Sequence, residues 1–424
     1  MKFSICNLGC KVNNYEANWY RQVLSQKYEE VPFGQKADIF IINSCTVTNT
    51  AGSKTRQMMH RARKLSPEAV IAVVGCYVQM EYQKEDIFAD CDILVGSNHK
   101  LELPELIEQF LQTRERIVRV EEFSVCPFEE MMLESFAQTR AYLKIQDGCN
   151  QFCSYCVIPF ARGRERSMNS DKVIETANKL VNSGHKELVL TGIHTGRYRY
   201  EDTDFTSLVK RLLNEVPGLR RLRISSIEVT ELTDELLHLI AADERMAHHL
   251  HIPLQSGCDK TLKAMSRPYT TAEFKAFTDK VKDLIPGISI STDVIVGFPG
   301  ETEEDFAETC EFIKAVGFSF LHVFPYAAKE HTVAAKLKNQ VREEVKKARV
   351  GELTRLSGIL YNEFINSFIG QTGYVLFENQ REGCWQGHNS EYIEVRVEGT
   401  DLKDEIREVH FLKADEDILK GELV

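Results

Sequence analysis

Short apolar runs alternate with helical patterns along most of this chain, and that alternation is typical of parallel β-sheets covered by helices. In the N-terminal part, helical patterns occupy residues 16–26 and 52–64. The apolar runs around them have the length of single strands and lie at residues 2–5, 38–43, 70–75 and 93–95. The sequence therefore predicts an α/β domain with a parallel sheet over residues 1–125.

The same alternation starts again after residues 126–139, a stretch that contains Pro127 and that we interpret as a linker. Six further strands are predicted, near residues 142–145, 187–190, 222–225, 249–253, 289–296 and 319–324. Six strand–helix units are too few for a full eight-stranded barrel, so we expect a partial (β/α)6 barrel of parallel strands. Together with the charged, helix-prone residues that follow, this domain covers residues 140–365.

From residue 366 the pattern changes to short strands separated by Gly, Asn and Asp turns. These strands are TGYVLFE, EYIEVRV, EIREVHFL and DILKGELV. Such a series is typical of a small antiparallel β-barrel, which we expect over residues 366–424. Three domains also fit the chain length of 424 residues, which exceeds what one hydrophobic core usually organises.

The chain lacks an apolar run of the length that a signal peptide or a transmembrane helix requires, so we expect a cytoplasmic protein with no membrane partner. Thiols stay reduced in that compartment. The 12 cysteines are therefore interpreted as metal ligands, catalytic groups or core residues rather than as disulfides. A net charge of −11 argues against a general nucleic-acid coat but is compatible with a local basic groove.

The strongest local motif is DGCNQFCSYC, in which Cys149, Cys153 and Cys156 follow a predicted strand with the spacing C-x3-C-x2-C. Three thiolates on one loop can hold three irons of a [4Fe–4S] cluster and leave the fourth iron open. An open iron can chelate S-adenosylmethionine (SAM) and donate the electron that cleaves it to a radical. The alternative is a structural zinc site, which normally needs four protein ligands. A fourth Cys or a His is missing between Cys156 and His185.

Small and polar residues follow the predicted strands of the same domain, where parallel barrels place their active sites. We expect these residues to contact SAM, together with Tyr155 in the cysteine loop, whose position resembles that of the aromatic residue bordering the adenine in radical SAM enzymes. Ordinary turn chemistry is the alternative explanation for each of them. The candidates are Gly192, Ser226 and Glu228 in SSIE, Gln255 in PLQSG, and Gly297 in VGFPGE.

A second group of cysteines follows the strands of the N-terminal domain. Cys10, Cys45 and Cys76 are 35 and 31 residues apart, which is close to one βαβ repeat, so all three fall on the carboxyl rim of the predicted sheet. They could hold a second [4Fe–4S] cluster with an open iron. Cys6 is the main rival of Cys10, whereas Cys91 precedes its strand and is interpreted as structural.

The runs NLGCKVNNYE, INSCTVTNTA and VVGCYVQ resemble the N-terminal domain of methylthiotransferases, and the resemblance extends over nearly the whole chain. It implies that Cys10, Cys45 and Cys76 hold an auxiliary cluster, which excludes Cys6 from that role. It also implies that the C-terminal barrel is a TRAM-like RNA-binding module. In this family the auxiliary cluster carries a sulfur that one SAM methylates, and the radical from another SAM activates the target carbon.

Three branches of that family act on different substrates. The motif GCKVN around Cys10 resembles the branch that modifies C2 of N6-threonylcarbamoyladenosine at position 37 of tRNA. The others act on isopentenyl-adenosine in tRNA and on an aspartate of a ribosomal protein. The sequence departs from the family pattern at Cys6 and at Val229, neither of which is an assigned ligand. The expected partners are the anticodon stem-loop of a tRNA and a flavodoxin- or ferredoxin-type electron donor.

The C-terminal domain is an unexpected RNA-binding module because it is acidic: residues 368–424 contain six Lys and Arg against 13 Asp and Glu. Basic residues nearer the first cysteine loop are better candidates for the active site, namely Arg162, Arg164 and Arg166. We identify no side-chain general acid or base from the sequence. A non-catalytic iron–sulfur or zinc RNA-binding protein is the alternative from another class of function.

Overall fold

Three β-structures follow one another along the chain, and a computed structural model describes them over residues 1–47, 49–121 and 126–424. Across these ranges, none of the helices combines the length and the apolar character needed to cross a bilayer. The predicted fold class is confirmed: a parallel α/β sheet, a partial parallel barrel and a small C-terminal barrel.

The N-terminal sheet has six strands in the order β2-β1-β3-β4-β5-β6, and every neighbouring pair is parallel. β3 and β4 are buried along their whole length, as expected for central strands covered on both faces. The outer strands β2 and β6 were not predicted because they have only two and three residues, too few to form a recognisable pattern. The strands are β1 Lys2–Asn7, β2 Glu29–Glu30, β3 Ile39–Ser44, β4 Val70–Gly75, β5 Ile93–Val95 and β6 Ile117–Arg119, and the helices are α1 Lys11–Leu24, α2 Asn49–Leu65, α3 Cys76–Glu81 and α4 Leu103–Thr113.

The central domain contains the six expected parallel strands, in two three-stranded sheets with the orders β13-β10-β7 and β14-β15-β16. Parallel bridges from Leu222 to Met246 and from Ser226 to His251 connect the two sheets into one open arc. The strands are β7 Ala141–Lys144, β8 Gln146–Asp147, β9 Arg166–Ser167, β10 Glu187–Thr191, β11 Arg199–Tyr200, β12 Thr203–Asp204, β13 Arg221–Ile224, β14 His249–His251, β15 Ser289–Val296 and β16 Phe320–Pro325. The helices are α5 Ile158–Arg162, α6 Ser170–Asn182, α7 Phe205–Glu215, α8 Asp234–Ala242, α9 Asp259–Ala264, α10 Thr271–Leu284 and α11 Glu303–Val316.

A long helix leads into a closed C-terminal barrel with the strand order β17-β18-β19-β21-β20. The sequence predicted four strands in this barrel and did not predict β18. The expectation of an antiparallel barrel holds for four neighbouring pairs, whereas β19 and β21 are parallel. Five strands in a closed ring cannot alternate in direction throughout, so at least one pair must be parallel. The elements are α12 Glu343–Asn366, β17 Thr372–Arg381, β18 Cys384–His388, β19 Glu394–Val397, β20 Ile406–Asp415 and β21 Ile418–Leu423.

Buried contacts fasten the three parts together. The hydroxyl of Tyr15 on α1 donates to the carbonyl of Met131, and both residues belong to the core of the central domain. On the other side, Arg221 Nη2 donates to the carbonyl of Tyr374 at 2.7 Å, and Arg223 Nη1 donates to that of Ser390 at 2.8 Å. The N-terminal sheet and the C-terminal barrel therefore both pack against the central arc.

Candidate iron–sulfur and substrate site

The first cysteine trio lies in the loop between β8 and α5. The N–H of Cys149 donates to the carbonyl of Gly163 at 3.1 Å, and that of Cys156 donates to Cys153 at 2.9 Å, so the loop curls back on itself. Gly148 has a φ of +74°, and a Cβ there would lie 2.0 Å from the carbonyl oxygen of Arg164. Only glycine can occupy that position without moving the loop.

The three thiols of this loop converge. Burial raises the pKa of Cys156 to about 12, and the charges of Cys153 and Cys149 act in the same direction. Arg267 Nη1 donates to Cys153 Sγ at 3.4 Å. Buried thiols that raise one another's pKa ionise readily only when positive charge compensates them, and a metal cluster supplies that charge. The donor set therefore fits three irons of a [4Fe–4S] cluster.

His194 beside this trio was not found by the sequence analysis. Its Nδ1 lies 3.4 Å from Cys149 Sγ, and its Nε2 lies 2.7 Å from Glu231 Oε1. Burial opposes its protonation, but the hydrogen bonds to Cys149 and Glu231 raise the pKa of His194 to about 10. Cys149, Glu165 and His194 have the proximity of a metal site. These hydrogen bonds orient the His194 ring between Cys149 and Glu231.

The second trio lies at the carboxyl ends of three adjacent strands, where the sequence pattern predicted it. Cys10 directly precedes α1 beyond β1, Cys45 follows β3, and Cys76 follows β4. Burial raises the pKa of Cys45 to about 11, and the charges of Cys76 and Cys10 add to the effect. By contrast, Cys6 lies inside β1. Cys91 is buried and precedes β5, and its thiol contacts Met59 Sδ at 3.1 Å.

Arg162 connects the two loops. It is the last residue of α5, just after the first trio, and only 2% of it is exposed. Its Nε donates to Cys76 Sγ at 3.2 Å, and its Nη2 donates to Asn13 Oδ1 at 3.2 Å. The same Asn13 oxygen accepts from Cys10 Sγ at 3.2 Å. One buried guanidinium from the first loop thus reaches two cysteines of the second, one directly and one through Asn13.

Two buried carboxylates hold Arg162 in place. Its Nη1 donates to Glu16 at 3.1 Å and to Asp147 at 3.2 Å. Lys100 and Lys144 also pair with Glu16, at 2.7 and 3.1 Å. Three buried cations therefore face two carboxylates, and the excess positive charge lies against Cys76. Such an arrangement fits a thiolate or an anionic cluster at that cysteine, since a buried charge needs a partner.

A cavity of about 880 Å³ is bordered by the loop of the first trio and by residues that follow Cys45. The segment after Cys45 borders it through Val47 and Thr50, and the first trio borders it through Cys156. The walls of the cavity combine apolar and charged side chains. They include Tyr155, Gln255, Asp293, Ile295, Phe324, Tyr326, Lys329, Glu343 and Lys346. Most of the charged members were not predicted, because nothing in their local sequence distinguishes them from surface residues.

Two of the six residues expected to contact SAM line this cavity. Tyr155 also packs beside the small apolar cluster of Met265 and Phe298. Gln255 has a φ of +68°, and its N–H donates to the carbonyl of Asp293 at 2.8 Å. A left-handed backbone at a residue other than glycine is uncommon and is concentrated at functional sites.

The other four candidates do not border the cavity. Glu228 forms an ion pair with Arg267, the arginine that also contacts Cys153. Ser226 forms the bridge to β14 described above. At Gly192 a Cβ would lie 3.1 Å from the Gln146 side chain, a tight contact. At Gly297 the φ of +72° favours glycine, and a Cβ would lie 2.4 Å from Lys346 Cγ.

Polar side chains lie on the inner face of the central arc beside the cavity. Along β14 and β15, Leu250 and Ile290 belong to the core beneath the helices, whereas the alternate residues face the other way. On that inner face His251 Nε2 lies 3.3 Å from Asp293 Oδ2, and the rings of His251 and His322 are 5.4 Å apart. Asp293 borders the cavity and is paired in register with His322, so these polar side chains adjoin the cavity.

Comparison with known proteins identifies two family regions. Residues 143–313 match the radical SAM superfamily, and residues 2–96 match a family described as uncharacterized protein family UPF0004. A radical SAM domain implies SAM and a [4Fe–4S] cluster as cofactors. Among solved structures, the radical SAM methyltransferase TsrM from Kitasatospora setae has a TM-score of 0.57 at 13% identity, covering 79% of this chain and 77% of that one. This likeness supports the fold.

Curated relatives are similar over almost the full length. The threonylcarbamoyladenosine tRNA methylthiotransferase MtaB of Bacillus subtilis is 41% identical over 98% of this chain and 95% of its own. The tRNA-2-methylthio-N(6)-dimethylallyladenosine synthase of Acetivibrio thermocellus is 32% identical over 89% of this chain and 80% of its own. The resemblance found in the sequence is confirmed, and the chain belongs to the radical SAM methylthiotransferase family of enzymes.

Proposed function

We propose that this enzyme transfers a methylthio group to C2 of N6-threonylcarbamoyladenosine at position 37 of tRNA. Identity supports this nucleoside, because the relative named for it is 41% identical, whereas the relative named for dimethylallyladenosine is 32% identical. The observation that carries the reaction type is the single cavity bordered by both cysteine loops. Sulfur transfer to an unactivated carbon requires both centres to act on one bound substrate.

In this proposal Cys149, Cys153 and Cys156 hold one [4Fe–4S] cluster, and Cys10, Cys45 and Cys76 hold the other. When bound, the first cluster supplies the electron that cleaves SAM, and the second presents the sulfur that is methylated and transferred. Each trio leaves one iron without a cysteine, which is the position that SAM or sulfur would take.

The protein's own residues bind, orient and shield in this scheme. Tyr155 and Gln255 contact SAM from the cavity wall, and Gly192, Ser226, Glu228 and Gly297 complete its site at the rim of the arc. Arg162 donates to Cys76 and fixes the first loop against the second. The apolar walls around Ile295 and Phe324 exclude water from a radical that would otherwise be quenched.

The domains divide the work. Residues 1–125 hold the second cluster, residues 140–365 cleave SAM, and residues 366–424 contact the anticodon stem-loop, with residues 126–139 as the connection. Because the C-terminal barrel is acidic, we propose that its RNA contact rests on a few residues and not on its overall charge. A flavodoxin- or ferredoxin-type protein supplies the electrons.

The test uses the reconstituted enzyme under anaerobic conditions with a reductant and SAM. Synthetic anticodon stem-loops carry threonylcarbamoyladenosine, isopentenyl-adenosine or adenosine at position 37. We expect 2-methylthio product, measured by mass spectrometry of nucleosides, only with the first. Product on the isopentenyl substrate alone would assign the enzyme to the branch of the family that modifies isopentenyl-adenosine in tRNA. Absence of 5′-deoxyadenosine would favour a non-catalytic RNA-binding protein.

A further inference from the structure

Helix α2 combines several cations with no carboxylate of its own. Its sequence is NTAGSKTRQMMHRARKL, in which every charged residue is Lys or Arg. Such a helix is unexpected in a chain whose net charge is −11. Arg63 is half-buried, whereas the other four cations are exposed. We call these exposed cations the α2 face: Lys54, Arg56, Arg61 and Lys64.

Neighbouring carboxylates do not neutralise the α2 face. Within the part of the chain that the structure describes, none of its four cations has an ion pair. Two carboxylates that lie beside α2 are engaged by other residues of the helix. Asp92 Oδ2 lies 2.8 Å from Arg63 Nη2, and Asp90 Oδ2 lies 3.4 Å from His60 Nδ1. The α2 face is therefore an uncompensated positive surface, which attracts anionic molecules.

Aromatic side chains hold the two arginines of this face in place. Arg56 Nη1 donates to the hydroxyl of Tyr77 at 2.6 Å, and the guanidinium carbon of Arg61 lies 5.9 Å from the centroid of the Phe33 ring. Neither contact compensates the charge of the guanidinium group. Arginine side chains that are positioned in this way suit phosphate oxygens, which accept two parallel N–H bonds from one guanidinium.

The α2 face begins at the border of the cavity. Thr50 in the first turn of α2 lines the cavity, as does Val47 in the segment between Cys45 and the helix. The helix packs tightly on α3, because a Cβ at Gly52 would lie 2.9 Å from the Tyr77 ring. From Thr50 the helix extends about 21 Å to its last exposed cation. A polyanion with one group in the cavity can therefore continue along the α2 face.

We propose that the α2 face binds the phosphate backbone of the tRNA whose target nucleoside occupies the cavity. This proposal rests on the proposed function, which makes a tRNA the substrate. Lys and Arg that neutralise phosphates release bound counterions, and this release favours binding. The α2 face also accounts for how a chain with an acidic C-terminal barrel holds RNA, because the phosphate contacts come from the N-terminal domain.

An acidic electron-donor protein is the rival occupant of a positive surface. Such a donor must deliver its electron to the first trio, which lies in the loop between β8 and α5. The α2 face instead follows Cys45 of the second trio and borders the cavity. Its position therefore favours the substrate over the donor.

The experiment measures the Kd of a fluorescently labelled anticodon stem-loop by anisotropy, at several potassium chloride concentrations between about 50 and 200 mM. All proteins are full-length and carry both clusters. The α2 variant combines Lys54→Gln, Arg61→Gln and Lys64→Gln. The charge-matched control removes three exposed lysines that form ion pairs on α7, α10 and α11, and combines Lys210→Gln, Lys280→Gln and Lys314→Gln. A second control keeps every charge and combines Lys54→Arg, Arg61→Lys and Lys64→Arg.

We expect the slope of log Kd against log salt concentration to fall by about 2 in the α2 variant, since each lost contact with a single-stranded phosphate removes about 0.7. At about 100 mM salt the Kd of this variant should rise by at least about 30-fold. Both controls should stay within about threefold of the wild type. Lys64→Gln alone should lower the slope by about 0.7, with the Tm and iron content of the wild type.

A wild-type slope in the α2 variant, or an equal loss of affinity in the charge-matched control, would overturn the assignment and leave the proposed function intact. An unchanged Kd for RNA together with slower reduction by an acidic flavodoxin-type protein would assign the α2 face to that donor instead. A wild type that does not bind the stem-loop would overturn this proposal and the proposed function together.

Discussion

We expect Glu187 to be essential for the packing of the C-terminal barrel against the central arc. The size of its contribution to stability follows from the charged residues around it. Glu187 is fully buried at the start of β10 and accepts from Arg221 at 3.0 Å and from Arg223 at 2.7 Å. Burial alone would raise its pKa, but Arg223, Arg221 and Arg140 hold the pKa of Glu187 at about 2. Of these arginines, Arg221 and Arg223 also donate to carbonyl groups of the barrel.

A carboxyl whose pKa falls from 4.5 to about 2 on folding contributes roughly 3 kcal/mol to stability at neutral pH. The pKa is lowered, so this contribution is complete above about pH 4.5 and is lost as the pH falls towards 2. Replacing Glu187 with Gln should remove about 3 kcal/mol at pH 7, because two buried guanidinium groups lose their counter-charge. Between pH 5 and 3 the variant should also lose about 2 kcal/mol less stability than the wild type.

The assay is urea denaturation followed by tryptophan fluorescence. The chain has two tryptophans, Trp19 on α1 and Trp385 in β18, so a Trp19→Phe background reports on the barrel alone. Glu235→Gln is the control, since Glu235 forms an exposed pair with Lys210. The control should change stability by less than about 0.5 kcal/mol. A Glu187→Gln effect below about 1 kcal/mol, or an unchanged pH dependence, would refute this account.

Three further predictions concern the cysteine loops. Cys45→Ser and Cys153→Ser should each lower the iron content of the reconstituted protein by about half, from eight irons towards four, as measured by iron assay and electron paramagnetic resonance; loss of all iron from either variant would contradict two separate sites. Arg162→Met should lower the midpoint potential of one cluster by about 60 mV, a tenfold change in its one-electron equilibrium, whereas the exposed Arg164→Met should leave both potentials unchanged in a redox titration. Gly148→Ala should destabilise the first loop by about 1–3 kcal/mol, seen as a lower Tm and slower cluster assembly; a wild-type Tm would show that the loop can adjust.

The sequence predicted those features that depend on local pattern. Strand periodicity located four strands of the N-terminal sheet and the six parallel strands of the central arc, and the repeat length predicted Cys10, Cys45 and Cys76 on one rim. Strand β18 was not predicted because its sequence, CWQGH, has polar and small residues where a half-buried strand usually has alternating apolar ones. The parallel pair in the barrel follows from closure of the ring and not from any single segment.

The rest of the site could not be predicted because its members are distant in sequence. Glu16, Lys100 and Asp147 each look like ordinary charged residues on a helix or a turn, and their burial becomes evident only when α1 packs against β7.

Because of Arg162, moving the two cysteine loops apart would cost free energy. Moving the loop of Cys149 away from the N-terminal sheet would strip Arg162 of Glu16 and Cys76 at once, and its loss would leave Cys76 without a buried positive partner. Breaking a buried charge pair costs about 3–5 kcal/mol. The cavity bordered by both loops therefore has a width set by side-chain contacts rather than by domain motion, and substrates must enter through its open side. A variant such as Arg162→Met should consequently change cluster potential and substrate affinity together, whereas a hinge between independent domains would separate these two effects.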